Sequence, residues 1–253
     1  MTIKLYAMTC GWIGLDKTLL LAGAPGKISI PVPVYLIDHP KGRVLFDTGI
    51  HPAMQTDPAG RIGDNAEIFQ VAYRPGEEVA ARLEALDIDA GGIDFIINSH
   101  LHWDHTGGNS AVPNAKLVIQ KREWEAGQTP EKIESNGFNP QDYDLGHQLM
   151  LVDGEHDLFG DGTVVTVPTY GHTPGHQSLK VRLASGDVVI AADSCYFKET
   201  LENLALPELL DDAEQMIESL KLLRRLQSAG ARIFYGHDPE FWQDVPQAPL
   251  EIT

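Results

Sequence analysis

The chain has 253 residues, and 43% of them are hydrophobic, enough to bury the core of one large α/β domain spanning 1–253. Lys and Arg number 19 against 36 Asp and Glu, a formal charge of −17 that repels phosphate backbones and anionic membrane surfaces, so no nucleic-acid or membrane partner is expected. Two cysteines are too few for a disulfide framework or a Cys-rich structural zinc site, and no run of about 18 apolar residues offers a membrane-spanning helix.

The opening "MTIKLYAMTCGWIG" has no sustained apolar stretch of the secretory kind, so the cytoplasm is the expected location. "VPVYLID" and "RVLFDTG" flank the turn-forming "HPKG" and predict a hairpin. Residues 51–76 are polar, rich in Gly and Pro and poorly periodic, which predicts a long loop of the kind that serves as a lid or binding segment. In "GEEVAARLEALDI", Val79, Leu83 and Leu86 fall at helical spacing. "IDFIINS" then reads as a buried strand that delivers "SHLHWDHTGG", with Gly107 and Gly108 predicting a tight exit.

Beyond that cluster, "AKLVIQ" predicts a strand, "REWEAGQ" a short helix, and 127–148 an irregular polar region. "TVVTVPT", "HQSLKVRL" and "DVVIAAD" are β-branched strands separated by turn signals. "DAEQMIESLKLLRRLQSAG" places Ala213, Met216, Ile217, Leu220, Leu223 and Leu226 on one helical face, and "ARIFYG" is the last strand. Strand runs in both halves, each accompanied by helix, predict a layered α/β sandwich with helices outside.

His100, His102, Asp104 and His105 cannot be ordinary core residues, because each must be hydrogen-bonded, hydrated or bound to an ion. Three later strands run out in the same way, at His172, Asp193 and His237. Seven nitrogen and oxygen donors exceed one tetrahedral zinc and suit two metals sharing a bridging carboxylate. His176 reads as a hydrogen-bonded partner of the site, since Pro174 and Gly175 break any helix linking it to His172. His39, His51, His147 and His156 lie in polar stretches and read as surface residues, and Cys195 as a buried thiol. Trp103, expected to face away from the flanking histidines, either walls a substrate pocket or packs in the core.

H-x-H-x-D-H followed by His172, Asp193 and His237, together with the early "FDTG", resembles the metallo-β-lactamase superfamily. That resemblance implies an αββα sandwich of two mixed sheets with helices on the outer faces. "IPVPVYLI", "SHLHWDHTGGN", "GHTPGHQSL", "FYGHD" and the spacing of "DSCYFKETLEN" are most similar to the N-acyl-homoserine lactonases, which open the lactone ring of bacterial quorum-sensing signals. By resemblance, His100, His102 and His172 hold one metal, Asp104, His105 and His237 the other, and Asp193 bridges. Zinc is the default ion, with Fe, Co or Mn acceptable to the same donors. Two such ions lower the pKa of a bridging water to about 7 and polarise an ester carbonyl. Tyr196, three residues after Asp193, is then the donor to the developing oxyanion, Asp104 the proton carrier to the leaving alkoxide, and Asp47 the partner that orients a ligand histidine.

Rival readings keep the fold and change the substrate: lactonases for γ-butyrolactone or pyridoxolactone, or thioester and phosphodiester hydrolases. The latter two call for basic patches that this chain lacks. A metal-binding module without catalysis would show a closed, Cys-rich site, unlike this one. The resemblance leaves a homodimer open as the assembly.

Overall fold

The computed structural model describes residues 3–253. The first seven strands form one sheet: β1 (Lys4–Asp16), β2 (Lys27–His39), β3 (Gly42–Phe46), β4 (Gln70–Ala72), β5 (Phe95–Ile97), β6 (Lys116–Gln120) and β7 (Leu149–Val152), in the order β4-β1-β2-β3-β5-β6-β7. The pairs from β4 to β3 are antiparallel and those from β3 to β7 parallel. The second sheet takes β8 (His156–Asp157), β9 (Val164–Pro168), β10 (Gln177–Leu183), β11 (Gly186–Ile190) and β12 (Arg232–Phe234), ordered β12-β11-β10-β9-β8, with only the β11–β12 pair parallel. Helices α1 (Ala59–Ile62), α2 (Asn65–Ile68), α3 (Val79–Glu84), α4 (Trp103–Thr106), α5 (Lys121–Ala126), α6 (Pro130–Asn136), α7 (Pro140–Tyr143), α8 (Lys198–Asn203), α9 (Ala213–Ser228) and α10 (Pro239–Gln243) connect and flank them.

The period of two in each strand divides the apolar residues between layers. Tyr35 and Ile37 of β2, Val118 of β6, and Val188 and Ile190 of β11 meet between the sheets. Their neighbours Val34, Leu36 and Leu117 face outward onto Val79 and Leu83 of α3, and Val189 faces Leu220 and Leu223 of α9. Each such side chain, fully buried, contributes about 1.5–3 kcal/mol of transfer free energy. The result is the αββα sandwich expected from sequence. Among the described residues no helix is long and apolar enough to cross a membrane.

Several expectations need correction. The β2–β3 hairpin is present, but the 13-residue β1 precedes it, and a bulge between Thr9 and Trp12 resets its inside–outside parity. Residues 51–76 are not one long loop: they hold a 3-10 turn at Pro52–Gln55, α1, α2, and β4, which pairs with β1. Likewise 127–148 contains α6 and α7, each opened by a proline at its first turn. On α9, Ala213 is exposed, and Ser219 takes a buried place by donating to the Tyr170 carbonyl at 2.7 Å. His39 is buried rather than superficial, stacked on Phe159 at 4.0 Å between the ends of the two sheets.

Candidate active site

All seven sequence-selected donors come together at one end of the sandwich. β5 stops at Ile97, two residues earlier than expected, and the chain crosses from Asn98 to His102 before turning helical in α4, which carries Asp104 and His105. His172 follows β9, Asp193 sits in a 3-10 turn after β11, and His237 follows β12. The sheets thus fix the loops at their ends. Gly107 and Gly108 have helical dihedrals at their turn, not a glycine-only conformation. Their reason is space: a Cβ on either would stand 2.2 Å from the backbone of His51 or Thr48.

The donors fall into two groups that could each hold an ion, His100, His102, His172 and Asp193 in one, Asp104, His105 and His237 in the other. Asp193 faces both. Its Oδ2 is 3.4 Å from His172 Nε2 and 3.9 Å from His100 Nε2, while its Oδ1 is 3.1 Å from His237 Nε2 and 3.2 Å from His105 Nε2. Asp104 Oδ2 completes the second group at 3.6 Å from His105 Nε2 and 3.7 Å from His237 Nε2.

A surrounding shell of hydrogen bonds aims the imidazoles. Asp47, held at a left-handed φ of 60° unusual for a residue other than glycine, accepts the Ser99 amide at 2.7 Å, the Ser99 hydroxyl at 2.8 Å and His105 Nδ1–H at 2.8 Å. Ser99 Oγ in turn accepts His100 Nδ1–H at 2.9 Å. His237 Nδ1–H donates to the Pro31 carbonyl at 2.7 Å, and His102 Nε2–H to the Asn136 carbonyl at the open C-terminal end of α6 at 2.8 Å. His176 Nε2 accepts the Asp193 amide at 3.1 Å, with its Nδ1 beside Thr169 Oγ1 at 3.0 Å. Sequence reasoning named Asp47 and His176 but missed Ser99, which stood inside the quoted motif, and the two carbonyls, which carry no side-chain signal.

These bonds leave bare nitrogens facing one another. His100 Nε2 is 2.8 Å from His102 Nδ1, which is 3.1 Å from His172 Nε2. Lone pairs at such separations repel unless a cation lies among them. Two further buried atoms, His105 Nε2 and Asp193 Oδ1, have no hydrogen-bond partner. Burial, reinforced by the neighbouring His105 and His102, keeps His100 well below the usual histidine range, and burial does the same to His172. Burial would lower His105 too, but the Asp193, Asp104 and Asp47 carboxylates more than offset it, and Asp193 does likewise for His237. Asp193 itself is held ionised, burial being overcome by His237 and His105. The cluster is therefore built for positive charge, and its donors fit divalent cations.

Five of the donors, His102, Asp104, His172, Asp193 and His237, line a cavity of about 400 Å³. Its lining is apolar at Ile13, Leu20, Ile30 and Phe69, which pack in one cluster, and polar at Ser135 and Asn136. Trp103 lines this cavity and also packs beside Phe69, so it does not turn its back on the histidines as strand alternation predicted; at the start of α4 that alternation no longer applies. Tyr196 is buried with its hydroxyl 3.2 Å from His172 Nδ1 and its ring stacked on His237. Cys195 points the other way, into the core under α8 and α9.

A family model described as the metallo-beta-lactamase superfamily matches residues 30–237. N-acyl homoserine lactonase AttM of Azorhizobium caulinodans is 36% identical, over 98% of this chain and 97% of its own. An N-acyl homoserine lactonase of Bacillus thuringiensis is 31% identical over 95% of each. The solved structure of an N-acyl homoserine lactone hydrolase, with the product N-hexanoyl-L-homoserine at its catalytic metal centre, covers the full length of both chains at 28% identity and a TM-score of 0.89.

Proposed function

The chain belongs to the metallo-β-lactamase superfamily and, within it, to the N-acyl homoserine lactonases; from that premise we propose that it hydrolyses the lactone ring of N-acyl homoserine lactones to the open-chain acyl-homoserine. One observation carries the reading: the seven metal-type donors cluster in two adjoining groups beneath a cavity lined by five of them and by the buried Tyr196, with both apolar and polar residues in its lining. Such a cavity suits a neutral ring joined through an amide to a fatty chain.

His100, His102 and His172 would hold one divalent ion and Asp104, His105 and His237 a second, with Asp193 shared between them. Zinc is the first choice for these nitrogen and oxygen donors, ahead of iron, cobalt or manganese. When bound, such ions supply a water acidified to near neutrality and draw electron density from the ester carbonyl. Burial holds the Tyr196 phenol well above the usual range, so it keeps its proton and can donate to the carbonyl oxygen as negative charge develops there. Asp104 lines the cavity, where it would take the proton that the attacking water gives up and pass it to the ring oxygen as the acyl C–O bond breaks. Asp47, through Ser99 and His105, keeps the imidazoles in the tautomers that expose the correct nitrogens. The apolar wall of Ile13, Leu20 and Phe69 takes the acyl chain.

The test is a lactone panel: N-acyl homoserine lactones of increasing chain length beside γ-butyrolactone and pyridoxolactone, with zinc-loaded and chelated protein. Turnover of the acylated lactones, rising with chain length and lost on chelation, is expected. A fully loaded protein that opens none of them, or opens only the unacylated rings, overturns the assignment.

A further inference from the structure

Glu123 of α5 belongs to neither donor group and does not line the cavity, yet it is completely buried. Its two carboxylate oxygens reach in different directions. Oε1 accepts the Leu101 amide at 3.1 Å, and Oε2 accepts the Gly175 amide at 2.6 Å. Leu101 is the residue between His100 and His102; Gly175 lies three beyond His172 and directly before His176. One rigid acid therefore ties the loop after β5, in the first sheet, to the loop after β9, in the second. Burial pushes its pKa up to about 7 even against these amide bonds, so keeping it there is unfavourable in itself.

The same contact gives Gly175, which reads from sequence only as a helix breaker, a second reason. A Cβ at Gly175 would lie 2.4 Å from the Glu123 nitrogen and 2.6 Å from its Cβ. Only a residue without a side chain lets the His172 loop come close enough to α5 for the short bond to form.

We propose that Glu123 is a positioning residue: by gripping the Leu101 and Gly175 amides on one carboxylate, it sets the spacing of His100 and His102 against His172 and so tightens that group's hold on its metal ion. The group of Asp104, His105 and His237, whose orienting bonds run through Asp47 and Pro31, receives no hydrogen bond from Glu123. This rests on the reading of the two groups as metal sites, but not on the identity of the substrate.

The experiment uses metal-free full-length protein titrated with cobalt(II), read by its visible absorption and by bound metal per chain, with no turnover assay. His102→Ala identifies which binding phase belongs to the His100–His102–His172 group. Glu123→Gln keeps the side chain's size but must turn its NH2 toward one of the two amides, Leu101 or Gly175, leaving two donors face to face. That phase is expected to weaken about 10- to 100-fold, the usual effect of losing an outer partner of a metal site, while the other phase stays in place. Both phases unchanged, or both weakened alike with a fall in melting temperature, would show an ordinary structural role and overturn the proposal. Hydrogen exchange on the metal-free wild type gives a reading independent of any variant. The Leu101 and Gly175 amides should be protected; exchange as fast as in open loops refutes the clamp.

Discussion

Tyr196 combines two properties that a donor to an oxyanion needs: it is buried beside the metal-type donors, and it resists losing its own proton. Tyr196→Phe is therefore expected to keep its full metal content and lose about 10²-fold in kcat, checked by metal analysis alongside lactone kinetics. Asp47→Ala should act in the opposite order. It frees His105 Nδ1 and the Ser99 hydroxyl at once, so metal affinity falls about 10- to 100-fold, measurable by competition with a chromogenic chelator. At this scale the sequence was informative wherever function needs a particular side chain: histidines and aspartates crowded at strand ends have few other uses. It was silent where the partner is a main-chain carbonyl, as with Pro31 and Asn136, because every residue has one. Glu123 was hidden differently, since in "REWEAGQ" an acid reads as the solvated face of a short helix until the fold brings two loops onto it.

Among the elements, two helical segments contribute to the cavity lining: α1–α2 through Asn65 and Ile68, and α6–α7 through Glu134, Ser135 and Asn136. Arg61 of α1 joins the two by pairing with Asp142 of α7, a carboxylate almost wholly buried, and by donating to Gln141 at 3.1 Å. Arg61→Met would leave that acid buried without its cation, and a loss of about 3 kcal/mol is expected in urea unfolding at neutral pH. A second tie links the β2–β3 turn to the β8–β9 turn through His39. Burial lowers its pKa, against the opposing pull of Asp161. The unfolded chain then binds a proton more readily than the folded one, so the stability His39 lends is full above about pH 6.5 and is lost as pH falls from there toward the folded pKa. Between about pH 7.5 and 5.5 the wild type should lose its advantage over His39→Asn, read as converging urea midpoints. These elements were hard to foresee for local reasons. In 51–76 the helices are single turns, too short to show periodicity, and in β1 the bulge scrambles the alternation on which strand reading depends.

For the molecule as a whole, the donors bind its two layers to each other. His100, His102, Asp104 and His105 hang from the first sheet, and His172, Asp193 and His237 from the second. Bound ions should thus act as cross-links between layers, and chelation is expected to lower the melting temperature while added zinc raises it in a concentration-dependent way. The layering itself was legible because β-branched strands recur in each half beside an amphipathic helix, the short α3 in the first and the 16-residue α9 in the second; the strand order was not, since it depends on pairings distant in sequence. The first sheet ends at Val152 and the second begins at His156, so chain order and layer order coincide. Severing the exposed turn between them would yield two pieces, each with an intact sheet and neither with a complete ion-binding group. Mixed together, such halves would form a complementation pair gated by zinc, silent apart and restored to lactone turnover only when the ion rejoins them.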